Sequence, residues 1–158
     1  MAELKVRDLM TTQVVTLKPN DSIRQATIRF AVNHISGAPV VDNRNHLVGI
    51  ISEDDVLQLI VRRQSQMEEG GGKMLSYSFD SKSQNSILQE AANDVSNTKV
   101  EEIMTRTLLT TTPDATIVDL LKAMIERKVK RVPVLEKGVL VGIISRGDIV
   151  FHIYERKI

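Results

Sequence analysis

Cysteine and tryptophan are absent from the 158 residues, and the aromatic side chains number three Phe and two Tyr. Without cysteine there are no disulfides, no thiolate nucleophile and no thiolate metal ligand. That composition suits a reducing cytoplasm, which is the expected location. With so few rings, a flat ligand would be held by aliphatic side chains and backbone rather than by stacking. Neither sign of charge dominates, with 21 Lys and Arg against 20 Asp and Glu. No strong field therefore draws the chain to nucleic acid or to a membrane surface, and neither is expected as a partner. Long apolar runs are missing as well. No stretch approaches the roughly 18 residues of a membrane span, and Met1-Ala2-Glu3-Leu4-Lys5 lacks the apolar core of a signal peptide. The histidines, His34, His46 and His152, show no metal-ligand spacing and are expected at the surface. Gly70-Gly71-Gly72-Lys73 is not a phosphate loop, because Met67 and Met74 stand where that motif needs Gly and Ser or Thr.

What the chain does contain is a duplication. Leu47-Val48-Gly49-Ile50-Ile51-Ser52 recurs as Leu140-Val141-Gly142-Ile143-Ile144-Ser145, and Asp55 and Asp148 follow at the same offset. Residues 5–60 align with 99–153 if one residue is deleted near Arg44. Lys5-Val6 matches Lys99-Val100, Met10-Thr11 matches Met104-Thr105, and Pro39-Val40 matches Pro133-Val134. Three divisions follow: repeat 1 over 1–62, a linker with a short helix over 63–98, and repeat 2 over 99–158.

Each repeat reads as β-α-β-β-α. The first strand is Val14-Val15-Thr16-Leu17, and Pro19-Asn20-Asp21 supplies a turn and a helix cap. Helical spacing places Ile23, Ala26, Thr27, Phe30 and Ala31 on one face, and Ile117, Leu120, Leu121, Met124 and Ile125 on its counterpart. A short strand opening at Pro39 or Pro133 turns into the repeated hexapeptide strand, and a closing helix carries Val56, Leu57 and Ile60, or Ile149, Val150 and Ile153. The polar, glycine-rich stretch from Arg62 to Ser86 reads as a loop. Ile87, Leu88, Ala91, Ala92 and Val95 read as a short helix packing on the second repeat. One repeat cannot cover both faces of a small sheet, so the expected architecture, α+β or α/β in class, packs the two sheets together about a pseudo-two-fold axis.

The apolar strand running into Ser-x-x-Asp is the candidate functional element. A strand that becomes a helix there exposes free N–H groups and a positive dipole end, which can hold an anion. A carboxylate beside them can accept from ligand hydroxyls. The plainer reading is that Ser52 and Ser145 are N-caps, with Asp55 and Asp148 complementing the dipole. Glu126-Arg127-Lys128-Val129-Lys130-Arg131 likewise reads as a solvated helix end as readily as a phosphate contact. No nucleophile–base pair, metal cluster or convergent carboxylate pair is present to suggest an enzyme.

With the Met-Thr lead-ins, the Pro-Val strands and Val-Gly-Ile-Ile-Ser-x-x-Asp, each in two copies, the chain resembles a tandem pair of CBS domains, the module named after cystathionine β-synthase. The resemblance implies a non-catalytic regulatory module. It would bind AMP, ADP or ATP, or else S-adenosylmethionine or NAD, as a ligand rather than a catalytic cofactor. It also implies a homodimer forming a four-repeat disc and a separate regulated protein. The alternative is a structural dimerisation module with empty pockets. By the same resemblance, one pocket combines Ser52 and Asp55 with Lys130, Arg131 and backbone near Leu109. The other combines Ser145 and Asp148 with Ile35, Ser36, Gly37 and backbone near Val15. Before each aspartate, where the family often has Ser or Thr, stand Asp54 and Gly147. The first would repel phosphate by roughly 1 kcal/mol or more.

Overall fold

The computed structural model describes residues 3–75 and 81–155, with side chains described outside 69–84. Its elements in chain order are α1 (Val6–Leu9), α2 (Ile23–Asn33), β1 (Gly37–Val41), β2 (Leu47–Ser52), α3 (Glu53–Leu75), α4 (Ser81–Val95), α5 (Val100–Ile103), α6 (Ile117–Arg127), β3 (Arg131–Glu136), β4 (Val139–Ser145) and α7 (Arg146–Glu155). Helix α2 is capped by Ser22, one residue later than expected. The Ser22 hydroxyl accepts from Gln25 N at 3.1 Å, and the Gln25 side chain accepts from Ser22 N at 2.7 Å. Asp21 instead closes the preceding turn, accepting from Lys18 N at 2.8 Å. Thr116 caps α6 in the same way, through Asp119 N at 3.3 Å. The buried faces are narrower than the apolar pattern: Ile23, Ala26 and Phe30 are buried on α2, and Ile117, Leu120 and Met124 on α6, while Thr27, Ala31 and Ile125 face solvent. Both helices end on a left-handed residue, His34 (φ 54°) and Lys128 (φ 56°). Ile35 N then bonds Phe30 O, and Val129 N bonds Met124 O. These paired caps aim the chain into β1 and β3.

Each repeat holds a two-stranded sheet, not three strands: β1 with β2, and β3 antiparallel to β4. Lys137 and Gly138, both at positive φ, make the tight turn between β3 and β4. The expected first strand is reduced to single bridges. Val14-Val15-Thr16 has no regular structure, and its counterpart in the second repeat touches β3 only where Thr111 bridges Val134. Pro133 explains why. It is the third residue of its strand, not the first, and its carbonyl accepts from Thr111 N at 3.1 Å. Its own ring nitrogen faces the same edge with no hydrogen to donate, so the ladder stops there.

By internal contacts the chain forms two compact units that cut across the repeats. One comprises Met1–Thr16, Pro39–Gly49 and Thr105–Ile158, the other Leu17–Ala38 and Ile50–Met104. In the first unit, the lead-in of repeat 1 docks on repeat 2. Val6 N donates to Ala115 O at 2.9 Å, Arg7 N to Pro113 O at 3.0 Å, and Ile117 N to Leu4 O at 2.9 Å. In the second unit the same three bonds recur with the roles exchanged: Val100 N to Asp21 O, Glu101 N to Pro19 O, and Ile23 N to Thr98 O. Each lead-in thus accepts from the first N–H of the other repeat's helix, Ile117 or Ile23, and donates two of its own N–H groups to carbonyls of the turn before that helix. Val6 joins Ile117, Leu120, Met124, Val132, Val134, Ile144 and Ile149 in one buried cluster. The Arg7 guanidinium also grips Asp114, with Nε at 3.1 Å, and that hydrogen bond and charge hold the exposed carboxyl below the usual aspartate range.

The stretch expected to be a loop is mostly helix. Helix α3 runs on to Leu75, through Gly70–Gly72, and α4 begins at Ser81; residues 76–80 lie outside the described chain. Helix α4 packs against α3, in the same unit as most of repeat 1, rather than on repeat 2 as expected. Ile87, Ala91 and Val95 are buried, and Arg63 pairs with Asp94 at 2.9 Å. His152 is half-buried, and its Nε2 is enclosed without a hydrogen-bond partner among the described residues.

Candidate functional site

The two strand-to-helix junctions have one backbone design. At the end of β2, the Asp55 carboxylate reaches back three residues, accepting from Ser52 N at 2.8 Å and from Ser52 Oγ at 3.1 Å through the same oxygen. Asp55 N donates to Ser52 Oγ at 3.3 Å, closing a reciprocal capping box. At the end of β4, Ser145 N donates to Asp148 at 2.9 Å, and Asp148 N to Ser145 Oγ at 3.1 Å. Both aspartates are half-buried. In each box Oδ2 does the capping and Oδ1 takes no part, so a second acceptor site is held rigidly on a fixed carboxylate.

A further bond ties each junction to the segment entering its repeat's first hairpin strand. Glu53 N donates to Ser36 O at 2.9 Å, and Arg146 N to Lys130 O at 2.9 Å. The pockets expected from the resemblance paired Ser52 and Asp55 with Lys130, Arg131 and Leu109, and Ser145 and Asp148 with Ile35, Ser36, Gly37 and Val15; within each unit the junction lies instead beside the strand entry of its own repeat, because these main-chain bonds join them. In one unit, Lys130 and Arg131 lie beside Ser145, Gly147 and Asp148, with Arg131 opposite Ser145 in the β3–β4 register. Val15 and Leu109 belong to this unit too, both half-buried, with Leu109 packed against its core cluster. In the other unit, Ile35, Ser36 and Gly37 lie beside Ser52, Asp54 and Asp55. Asp54, Gly147 and Lys130 are exposed, and Arg131 is half-buried.

The capping interpretation of Ser-x-x-Asp is thus correct as far as it goes. Elsewhere in this chain the same reach-back is made by Asp8, from Lys5 N at 2.9 Å, by Gln25, and by Glu102, from Lys99 N at 2.7 Å. Aspartate, glutamine and glutamate thus all close such a box here.

What the two junctions do not share is charge. The first turn of α3 reads Glu53-Asp54-Asp55, whereas that of α7 reads Arg146-Gly147-Asp148. Arg146 stands where the aligned copy has Glu53, a contrast already present in the sequence. Two depressions elsewhere are apolar. One of about 420 Å³ lies between α3 and α4, lined by Leu57, Ile60, Leu88 and Ala92 with Asn85 and Gln89. The other, of about 520 Å³, follows α3 at Leu57, Gln58, Val61 and Arg62. Neither is lined by a junction residue.

Residues 6–62 and 100–155 match the family model of the CBS domain. An uncharacterised protein of Methanocaldococcus jannaschii is 35% identical over 149 residues, which cover 92% of this chain and 88% of that protein. The CBS domain-containing protein YhcV of Bacillus subtilis is 26% identical over 144 residues, covering 91% and 81%. Against three longer relatives from M. jannaschii, the chain spans only 41%, 34% and 38% of their length. Among solved structures, CBSX2 in complex with AMP superposes with a TM-score of 0.73 at 25% identity, over 98% of this chain and 99% of that one. The CBS domain of a CBS domain-containing membrane protein from Sphaerobacter thermophilus gives 0.70 at 27% identity, over 94% and 87%.

Proposed function

The chain belongs to the CBS-domain family, and from that premise we propose that it is a non-catalytic regulatory module that binds an adenosine-containing ligand and passes the bound state to another polypeptide. The observation carrying this is the twinned Ser–Asp box, which presents at the mouth of a helix in each repeat a carboxylate oxygen that takes no part in the cap among the described residues. A carboxylate is an acceptor for the two neighbouring hydroxyls of a ribose, and charge-assisted bonds of that kind are the stronger ones. The similarity to CBSX2, solved with AMP, points the same way. Ser52, Asp54 and Asp55, with Ile35, Ser36 and Gly37, form one set of contacts; Ser145, Gly147 and Asp148, with Val15, Leu109, Lys130 and Arg131, form the other. AMP, ADP or ATP is the ligand class we favour, in the cytoplasm, where the absence of cysteine is unremarkable. Among the described residues, no helix is long and apolar enough to cross a membrane.

A dimerising role accompanies this. Leu57 and Val61 on α3 correspond by the repeat to Val150 and Tyr154 on α7, and all four are more than half exposed. Apolar exposure at matched positions in both copies suits a self-complementary contact with a second chain.

Thermal unfolding of the protein with AMP, ADP, ATP, S-adenosylmethionine and NAD tests the ligand claim. A ligand at a hundred times its Kd adds about 2.7 kcal/mol, so at least one of the five is expected to raise the Tm by several degrees. A folded sample indifferent to all five would refute the reading.

A further inference from the structure

We propose that charge decides which repeat each lead-in docks on. The turn before α6 is a docking surface for the lead-in that carries Arg7, and the turn before α2 is one for the lead-in that carries Glu101.

The apolar part of each dock cannot make that choice. Val6 and Val100 are both fully buried, and the three main-chain bonds of one dock recur in the other. By shape and backbone bonding, either lead-in would fit either turn. Several charges are matched as well. Asp8 and Glu102 reach back to cap their own lysines, at 2.9 and 2.7 Å. Lys5, with Nζ 3.9 Å from Asp114, is repeated as Lys99. What differs is confined to a few positions that meet at the dock. Arg7 is aligned with Glu101, and Thr112-Pro113-Asp114-Ala115 with Lys18-Pro19-Asn20-Asp21.

In the first unit, two N–H groups of the Arg7 guanidinium converge on Asp114 Oδ1, Nε at 3.1 Å and Nη2 closer. Such charge-assisted bonds are the stronger kind. In the second unit, Glu101 holds Arg7's place on the backbone: Glu101 N donates to Pro19 O at 3.1 Å, as Arg7 N does to Pro113 O at 3.0 Å. The turn it meets has Asn20 where the other has Asp114, and Lys18 where the other has Thr112. Its one acid, Asp21, is turned onto Lys18 N at 2.8 Å.

If the lead-ins changed places, both contacts would deteriorate. Glu101 beside Asp114 sets two carboxylates against each other. Arg7 beside Asn20 and Lys18 loses its acceptor and gains a like charge. An exposed ion pair is worth up to about fivefold in an equilibrium constant, and repulsion at contact distance in water is of similar size. Attraction at the right turn and repulsion at the wrong one therefore add. The arrangement they disfavour is like on like, a lead-in closing on its own repeat or on the same repeat of a second copy of this chain.

Amide exchange in the full chain tests this, read as protection at Ile117 and Ile23, whose N–H groups donate to Leu4 O and Thr98 O across the two docks. Arg7→Gln, which removes attraction without adding repulsion, is expected to lower protection at Ile117 by up to about fivefold and to leave Ile23 unchanged. The charge exchange Arg7→Glu/Glu101→Arg, at constant net charge, is expected to lower it roughly tenfold at Ile117 and several-fold at Ile23. Adding Asp114→Lys to that exchange should restore Ile117 alone. Raising the salt from about 0.1 M to about 1 M, which shortens the Debye length from about 10 Å to about 3 Å, should narrow every difference. Unchanged protection at both amides in the charge exchange overturns the proposal. So does a loss at Ile117 that Asp114→Lys fails to reverse or that salt leaves undiminished.

Discussion

The junctions at Ser52 and Ser145 have the same backbone and opposite charge. Strand end, capping box and the bond to the preceding loop agree to within a few tenths of an ångström. The residues at the first two helical positions have nevertheless diverged from Glu53-Asp54 to Arg146-Gly147. The difference separates two kinds of constraint. Positions that bury side chains or close the box are held by packing and hydrogen bonds, and duplication has left them alike. The first two helical positions of α3 and α7 face solvent, so neither packing nor the box constrains their charge.

If the shared framework is as similar as it looks, breaking it should cost the same in both halves. Ile51 and Ile144 are each fully buried at matched positions. Ile51→Ala and Ile144→Ala are both expected to destabilise by about 2–5 kcal/mol, the usual range for emptying such a core position. Urea unfolding of the two variants checks this, and costs differing by more than about twofold would show that one hairpin carries the fold. A smaller effect is expected where the lead-in crosses the hairpin. A Cβ on Gly142 would sit 2.8 Å from Met10 Sδ and 3.0 Å from Thr11 O. The sulfur can swing away, but the carbonyl is fixed by its bond from Ile143 N. Gly142→Ala should therefore cost about 1–3 kcal/mol and loosen the Thr11 bridge, seen as faster amide exchange at Thr11 and Ile143.

Much of this was legible in the chain itself, for physical reasons that differ by element. The hexapeptide strands alternate in burial, and α2 and α6 carry helical apolar stripes, so local periodicity sufficed. The Ser-x-x-Asp boxes were readable because capping depends on residues three apart. Val14-Val15-Thr16-Leu17 misled because a β-branched run has strand propensity, whereas pairing there is decided by Pro133-like gaps on a neighbour distant in sequence. The 62–86 stretch misled in the opposite direction. Its composition is polar and glycine-rich, and α3 and α4 are held by each other, through Ala91, Val95 and Arg63–Asp94, rather than by their own propensities. The exchange of lead-ins left no local mark at all, since Val6 and Val100 would dock on either repeat's first helix by any pattern within the segment. Of the candidate site, the carboxylates and the cations before β3 could be named from the resemblance. Their grouping could not, because it depends on the main-chain bonds from Glu53 to Ser36 and from Arg146 to Lys130.

The claim on which the rest depends is that the junction carboxylates hold a ligand and do not merely cap helices. Asparagine separates the two jobs, since it can still accept from the Ser52 and Ser145 N–H groups but has lost the charge that strengthens a bond to ribose. Titration of AMP into the Asp55→Asn/Asp148→Asn protein, with its fold verified by unfolding, is the direct measurement. The expected result is a native-like fold with AMP affinity weakened at least about tenfold; undiminished AMP affinity in that protein would contradict it.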